Sequence, residues 1–159
     1  MKTYSTLIFD AFDTLIHFNN DKLTECRVGG RTVFTTAPAI HAMYEEDAGP
    51  VDFERFVKAF FESFHEAGRR AADLREVPCP DRFRIMIELL GKDPDSLAED
   101  FPDRLARTHM GRLEPAMEVR PENRGVLEWA GANGYRVAMI SNFDHAPTLH
   151  RCLERHGLH

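Results

Sequence analysis

Leu7-Ile8-Phe9-Asp10-Ala11-Phe12-Asp13-Thr14-Leu15-Ile16 and, much later, Val137-Ala138-Met139-Ile140-Ser141-Asn142 are the two stretches that decide the fold. Each is a short apolar run halted by polar residues, the pattern of a buried strand running into a loop. The first strand is expected over residues 3–9, stopping at Asp10. The second is expected over Tyr135–Ile140, stopping at Ser141-Asn142. Helical patterns flank the second strand. Pro121 to Asn133 reads as a helix with Gly134 in the position that wants a left-handed residue. Pro147 to His156 reads as another, closed by Gly157. Helix, strand, loop and helix in that order is the alternation of a parallel α/β sheet.

Between these stretches the rhythm is helical. Phe53, Phe56, Val57, Phe60, Phe61, Phe64 and Ala67 recur at helical spacing across 52–74, and Asp52 is placed to cap the start. This aromatic stripe is expected to be a helix face buried against neighbours. A second helix begins at Pro80, contains Phe83, Ile85, Met86, Leu89 and Leu90, and ends at Gly91. A third occupies 94–112 around Leu97, Phe101, Leu105 and Met110, with a break or kink expected at Pro102. A short helix is expected from Pro38 to Glu46, after a turn at Gly29-Gly30. No strand signal stands out from about 17 to 115. The chain therefore divides into an α/β part, residues 1–16 and 116–159, and an inserted helical part, residues 17–115.

Composition bounds the function. The 159 residues are 43% hydrophobic and 29% charged, a globular balance, with a net charge of −6. A nucleic-acid binder shows a basic patch, so this balance argues against nucleic acid as a partner. Leu7-Ile8-Phe9 is too short for a membrane span or a signal-peptide core. Cys26, Cys79 and Cys152 are far apart with no CxxC pair, so neither a zinc site nor a disulfide framework is indicated, and isolated thiols suit a reducing cytoplasm. The partner expected is a small-molecule substrate, with neither nucleic acid nor membrane. Nothing in the sequence sets the oligomeric state.

In open α/β sheets, ligands bind beyond the carboxyl ends of the strands. Those ends carry Asp10 and Ser141-Asn142. An apolar strand ending in Asp, then a loop with Thr and Leu, resembles the nucleophile motif of the haloacid-dehalogenase-like hydrolase superfamily. An apolar strand ending in Ser-Asn resembles its second motif, and the helical segment lies where many members insert a helical cap. The resemblance implies an α/β, Rossmann-like parallel-sheet core with an inserted α-helical cap. It implies that Asp10 is a nucleophile forming a covalent aspartyl intermediate. It also implies that Ser141 donates its hydroxyl to the transferring group, with Asn142 adding a backbone N–H donor. Thr14 is implied to buttress the nucleophile loop and to belong to the substrate-binding set, with a purely structural role as the alternative. In the family's phosphatases, the backbone carbonyl two residues past the nucleophile, here that of Phe12, joins Asp10 in holding Mg²⁺.

Two departures qualify the activity. Family phosphatases place a general-acid aspartate at the position of Phe12, and phenylalanine cannot transfer a proton. Asp13 comes one residue later and is expected to bond within its own loop. Haloacid dehalogenases of the family have Ala and an aromatic residue after the nucleophile, as in Asp10-Ala11-Phe12, and a halide needs no proton. The family also uses a later lysine, and its phosphatases a later acidic motif. No position before His159 fits either role, and Lys58 and Lys92 fall in the cap. The sequence is therefore expected to be C-terminally truncated, with an incomplete core. Three functions follow: a Mg²⁺-dependent phosphatase on a small phosphorylated substrate, a carbon–halogen hydrolase with no cofactor, or a non-catalytic binding protein on the same scaffold.

Among other polar residues, His145, His150, His156 and His159 are not spaced as a helical zinc pair and are expected to be solvated or supporting. Arg69-Arg70 are expected on a solvated face. Arg27 and Arg31, after the nucleophile loop, are candidates to meet a substrate anion.

Overall fold

The computed structural model describes residues 4–71 and 76–158. Thr3 of the expected first strand, residues 72–74 of the expected 52–74 helix, and His159 lie outside the described residues. In chain order the elements are β1 (Thr6–Asp10), β2 (Ile16–Phe18), β3 (Thr24–Val28), β4 (Arg31–Thr35), α1 (Ala37–Ala48), α2 (Phe53–Arg70), α3 (Cys79–Leu89), α4 (Phe101–Leu113), β5 (Met117–Val119), α5 (Pro121–Ala132), β6 (Arg136–Ile140) and α6 (Ala146–Arg155). The protein is mixed α/β, with small parallel and antiparallel sheets and six α-helices among the described residues.

The strands form three pairs. β1 and β6 run parallel, in register from Thr6↔Arg136 to Asp10↔Ile140. A parallel pair needs a crossover, and here everything from β2 to α5 intervenes. β2 and β5 pair antiparallel, Ile16↔Val119 to Phe18↔Met117, closing the segment between them at its base. β3 and β4 form a hairpin around Gly29 and Gly30, whose φ values of 55° and 74° are those of a tight two-residue turn.

Two hydrophobic clusters result. The larger joins α1 to α4 through Ile40, Tyr44, Phe56, Phe60, Phe83, Met86, Phe101 and Leu105. The smaller joins the β1 loop to β5 and α6 through Ala11, Leu15, Ile16, Met117, Leu149 and Cys152. Phe143, in the loop between β6 and α6, packs against both.

Helix positions follow the local signals. Asp52 caps α2 by accepting the Arg55 N–H at 2.9 Å. Pro80 and Pro121 stand in the first turns of α3 and α5, where the missing N–H has no intrahelical partner to lose. Pro102 likewise sits in the first turn of α4, so it does not kink a helix. The expected 94–112 helix is a 3₁₀ turn at Pro94–Ser96 followed by α4.

Three further expectations are corrected. The 17–115 segment is not free of strands, because the β3–β4 hairpin lies within it and β2 begins it. A Gly-Gly pair forces a two-residue turn, and the β-branched residues beside it form the arms. Tyr135–Ile140 is not a buried strand: β6 is largely exposed, as is the outward face of β1, with Ile8 62% and Ile140 66% exposed. Only the inward-facing Phe9 and Met139 pack on the smaller core. The α2 stripe is not buried throughout. Phe56, Val57, Phe60 and Ala67 are buried, but Phe61 and Phe64 are 46% and 43% exposed, on the adjoining stripe.

Candidate functional site

The parallel register of β1 and β6 brings the two strand ends together. Asp10 is paired with Ile140, so Ser141 and Asn142 follow directly at the end of the neighbouring strand, and paired strands are separated by about 4.8 Å. The Asp10 carboxylate is exposed, and its Oδ1 accepts the Ala11 N–H at 2.8 Å, which orients it. Ser141 Oγ accepts the Phe143 N–H at 3.2 Å, leaving its own proton to donate.

The loop after Asp10 is held by its backbone. The N–H groups of Leu15 and Ile16 donate to the Ala11 carbonyl at 2.9 and 2.8 Å, and the Asp13 N–H donates to the Ile16 carbonyl at 2.8 Å. Asp13 thus bonds within its loop, through the main chain. It adopts φ 58°, a left-handed conformation that Asp, Asn and Gly tolerate better than other residues. Asp13→Ala is expected to lower stability by about 1 kcal/mol while Asp13→Asn does not, as urea unfolding of the two variants would read. Thr14 is exposed; its carbonyl and that of Leu15 accept from Asn123 Nδ2 at 2.7 and 3.1 Å. Asn123, in the first turn of α5, is a support for the loop that the sequence did not single out.

A cleft of about 950 Å³ opens beside these strand ends. Its lining includes Phe12, Ser141, Asn142, Phe143 and Asp144, together with residues of α2, Arg82, His109 and the end of β4. Asp10 and Thr14 lie outside its lining. So do Arg27 and Arg31, both exposed on the hairpin, and the exposed Lys58 and Lys92. The Phe12 ring stacks on Phe18 at 5.1 Å and tilts against Phe143 at 4.7 Å, so the position beside the nucleophile is filled by an aromatic wall.

The lining also carries a charged cluster. Arg82 is 2% exposed, and its Nε donates to Asp144 Oδ2 at 2.8 Å. Its Nη2 reaches Cys79 Sγ at 3.4 Å, and its guanidinium carbon lies 3.7 Å from the Phe64 ring centroid. Nη1 is buried with no hydrogen-bond partner among the described residues. Asp144 is bound twice, since its carbonyl also accepts the Cys79 N–H at 2.9 Å. It therefore ties the loop beyond β6 to the first turn of α3. Burial pushes the Cys79 thiol up to about 12, so it stays protonated. His109 Nδ1 lies 2.7 Å from Thr36 Oγ1. Burial, then the charges of Arg82 and His145, hold its imidazole down to about 3, so it is neutral at physiological pH.

Arg82, Asp144 and His109 were not among the candidates from sequence. The available signal was Arg82 itself, a charged residue on the apolar stripe Cys79, Phe83 and Met86. Two of the C-terminal histidines have structural partners: His145 Nδ1 accepts the Thr148 N–H at 3.3 Å and caps α6, and His156 Nε2 lies 3.2 Å from the Met117 carbonyl. Among the described residues, no group of three or more His, Cys, Asp or Glu side chains gathers to hold a metal. No helix among them is long and apolar enough to cross a membrane. In comparison with known proteins, no family model matches the chain and no curated protein matches it.

Proposed function

We propose that this protein is a hydrolase of the haloacid-dehalogenase-like type, working through a covalent intermediate on Asp10. The observation that supports this is the Asp10↔Ile140 register, which brings the end of β1 next to the strand end that carries Ser141 and Asn142, two residues that line a ligand-sized cleft. In the phosphatase reading, an Asp10 oxygen bonds to phosphorus as the ester P–O bond breaks, and the electron pair leaves with the alcohol oxygen. Water then cleaves the phosphoryl–Asp10 bond, releasing phosphate and restoring the carboxylate. The Ser141 hydroxyl and the Asn142 N–H supply donors to the charge that develops.

The Asp10 carboxylate and the Phe12 carbonyl are hard oxygen donors, a pair that suits Mg²⁺, which binds through one or two carboxylates together with water and phosphate oxygens. Bound there, Mg²⁺ would offset the repulsion between nucleophile and substrate anion.

Phe12 favours a leaving group that needs no proton from the protein. A phenolate meets that condition within the phosphatase reading. A halide meets it in the second reading, where Asp10 bonds to carbon as the carbon–halogen bond breaks and water hydrolyses the resulting ester.

The test is to quench the protein in acid during incubation with 4-nitrophenyl phosphate plus Mg²⁺, and separately with 2-chloropropionate, then weigh the peptide containing Asp10. A phosphoryl adduct that disappears with chelator supports the first reading. An alkanoate adduct indifferent to chelator supports the second. Turnover of either compound with no adduct on Asp10 would overturn the nucleophile assignment, and no turnover of either would overturn the hydrolase.

A further inference from the structure

Seven phenylalanines line the cleft, and they come from separate parts of the chain. Phe12 and Phe18 arrive with the nucleophile loop and β2, Phe34 with the hairpin, and Phe60, Phe61 and Phe64 with α2. Phe18, Phe34, Phe61 and Phe64 are among the protein's exposed large hydrophobic residues. Clustered exposed apolar side chains in a concave site, with few polar groups among them, mark a ligand pocket rather than incidental surface. The second observation is polar. Arg82 is part of the same lining, two of its three nitrogens are satisfied by Asp144 and Cys79, and among the described residues Nη1 has no acceptor. A buried donor without a partner is destabilising, a deficit that an acceptor on a ligand would remove.

We propose that the cleft binds a small aromatic molecule carrying an uncharged oxygen acceptor such as a carbonyl, with its ring among the exposed phenylalanines and its oxygen on Arg82 Nη1. Aromatic rings gain from packing edge or offset against other rings, beyond the area they bury. The Asp144 carboxylate already matches the Arg82 charge, so the ligand oxygen contributes a hydrogen bond and orientation rather than charge neutralisation. Phe64 covers the guanidinium and is itself part-exposed, so its ring turns aside as the ligand seats. None of this depends on Asp10 reacting, so binding can be tested apart from turnover.

Three unreactive probes separate ring from acceptor: acetophenone, ethylbenzene (the same shape without the oxygen) and acetone (the oxygen without the ring). Binding is read by titration of the whole protein. Acetophenone is expected to bind at least tenfold more tightly than either control, and Phe61→Ala to weaken it about fivefold. The Arg82 side-chain nitrogen resonances of the unaltered protein should shift with acetophenone but not with ethylbenzene. This reports on the acceptor without a variant that risks the fold. Equal affinity for ethylbenzene with no shift at Arg82 would overturn the acceptor role, and acetone binding as tightly as acetophenone would overturn the aromatic site. Acetophenone binding unchanged by Phe61→Ala would also overturn the site.

Discussion

Asp144→Ala is expected to destabilise the protein by about 3 kcal/mol, because it leaves a buried guanidinium without its carboxylate partner. Arg82 is almost wholly buried beneath Phe60, Phe64 and Phe83, and Asp144 is its carboxylate partner. The reverse change should be milder. In Arg82→Met the flexible thioether still fills the space between the phenyl rings, and Asp144, whose side chain is 19% exposed, can turn its carboxylate to water. Urea unfolding of both variants and of the double variant checks the asymmetry. Asp144→Ala should lose more than Arg82→Met, and adding Arg82→Met to Asp144→Ala should recover part of the loss. Equal losses would show that Arg82 is not held by that carboxylate.

Acid should also unfold this protein early. The unfolded chain takes up a proton on His109 near pH 6.5, whereas the folded chain resists until about pH 3. The unfolded state therefore binds more protons in that window, and stability falls as the pH drops through it. The contribution is complete above about pH 6.5 and is lost toward pH 3, with a span on the order of 4 kcal/mol. The cause is first the burial of the ring against Phe60 and Phe83, then the charges of Arg82 and His145. His109→Gln keeps a polar group for Thr36 but cannot take up the proton. Its urea midpoint should change much less between pH 6.5 and pH 3 than that of the parent protein. Parallel pH profiles for the two would assign the acid sensitivity to other groups.

Much of this architecture was legible where it depends on neighbours in sequence. Proline starts and glycine stops placed α3, α5 and α6 within a residue or two, because capping is a local matter. The meeting of Asp10 and Ser141 was also legible, since parallel strands bring their carboxyl ends to one edge whatever lies between. The hairpin was not. Its arms are five residues each and expose alternating polar and apolar groups weakly, so only the Gly29-Gly30 turn stood out. Nor could the stripe on α2 show which phenyl rings would be covered. That depends on where α3 and the hairpin pack, and periodicity does not encode it. The Arg82–Asp144 bond joins residues 62 positions apart, and only the assembled fold pairs them.

The short loop after β6 carries more than the candidate site. Phe143 is wedged into both hydrophobic clusters while Asp144, next to it, grips α3. Two cores that share a keystone cannot come apart independently, so heat should melt them in one cooperative step. A molecule seated against Ser141 and Asn142 would then stiffen the helical layer and the parallel strands together, raising the melting temperature of the whole protein rather than of one half.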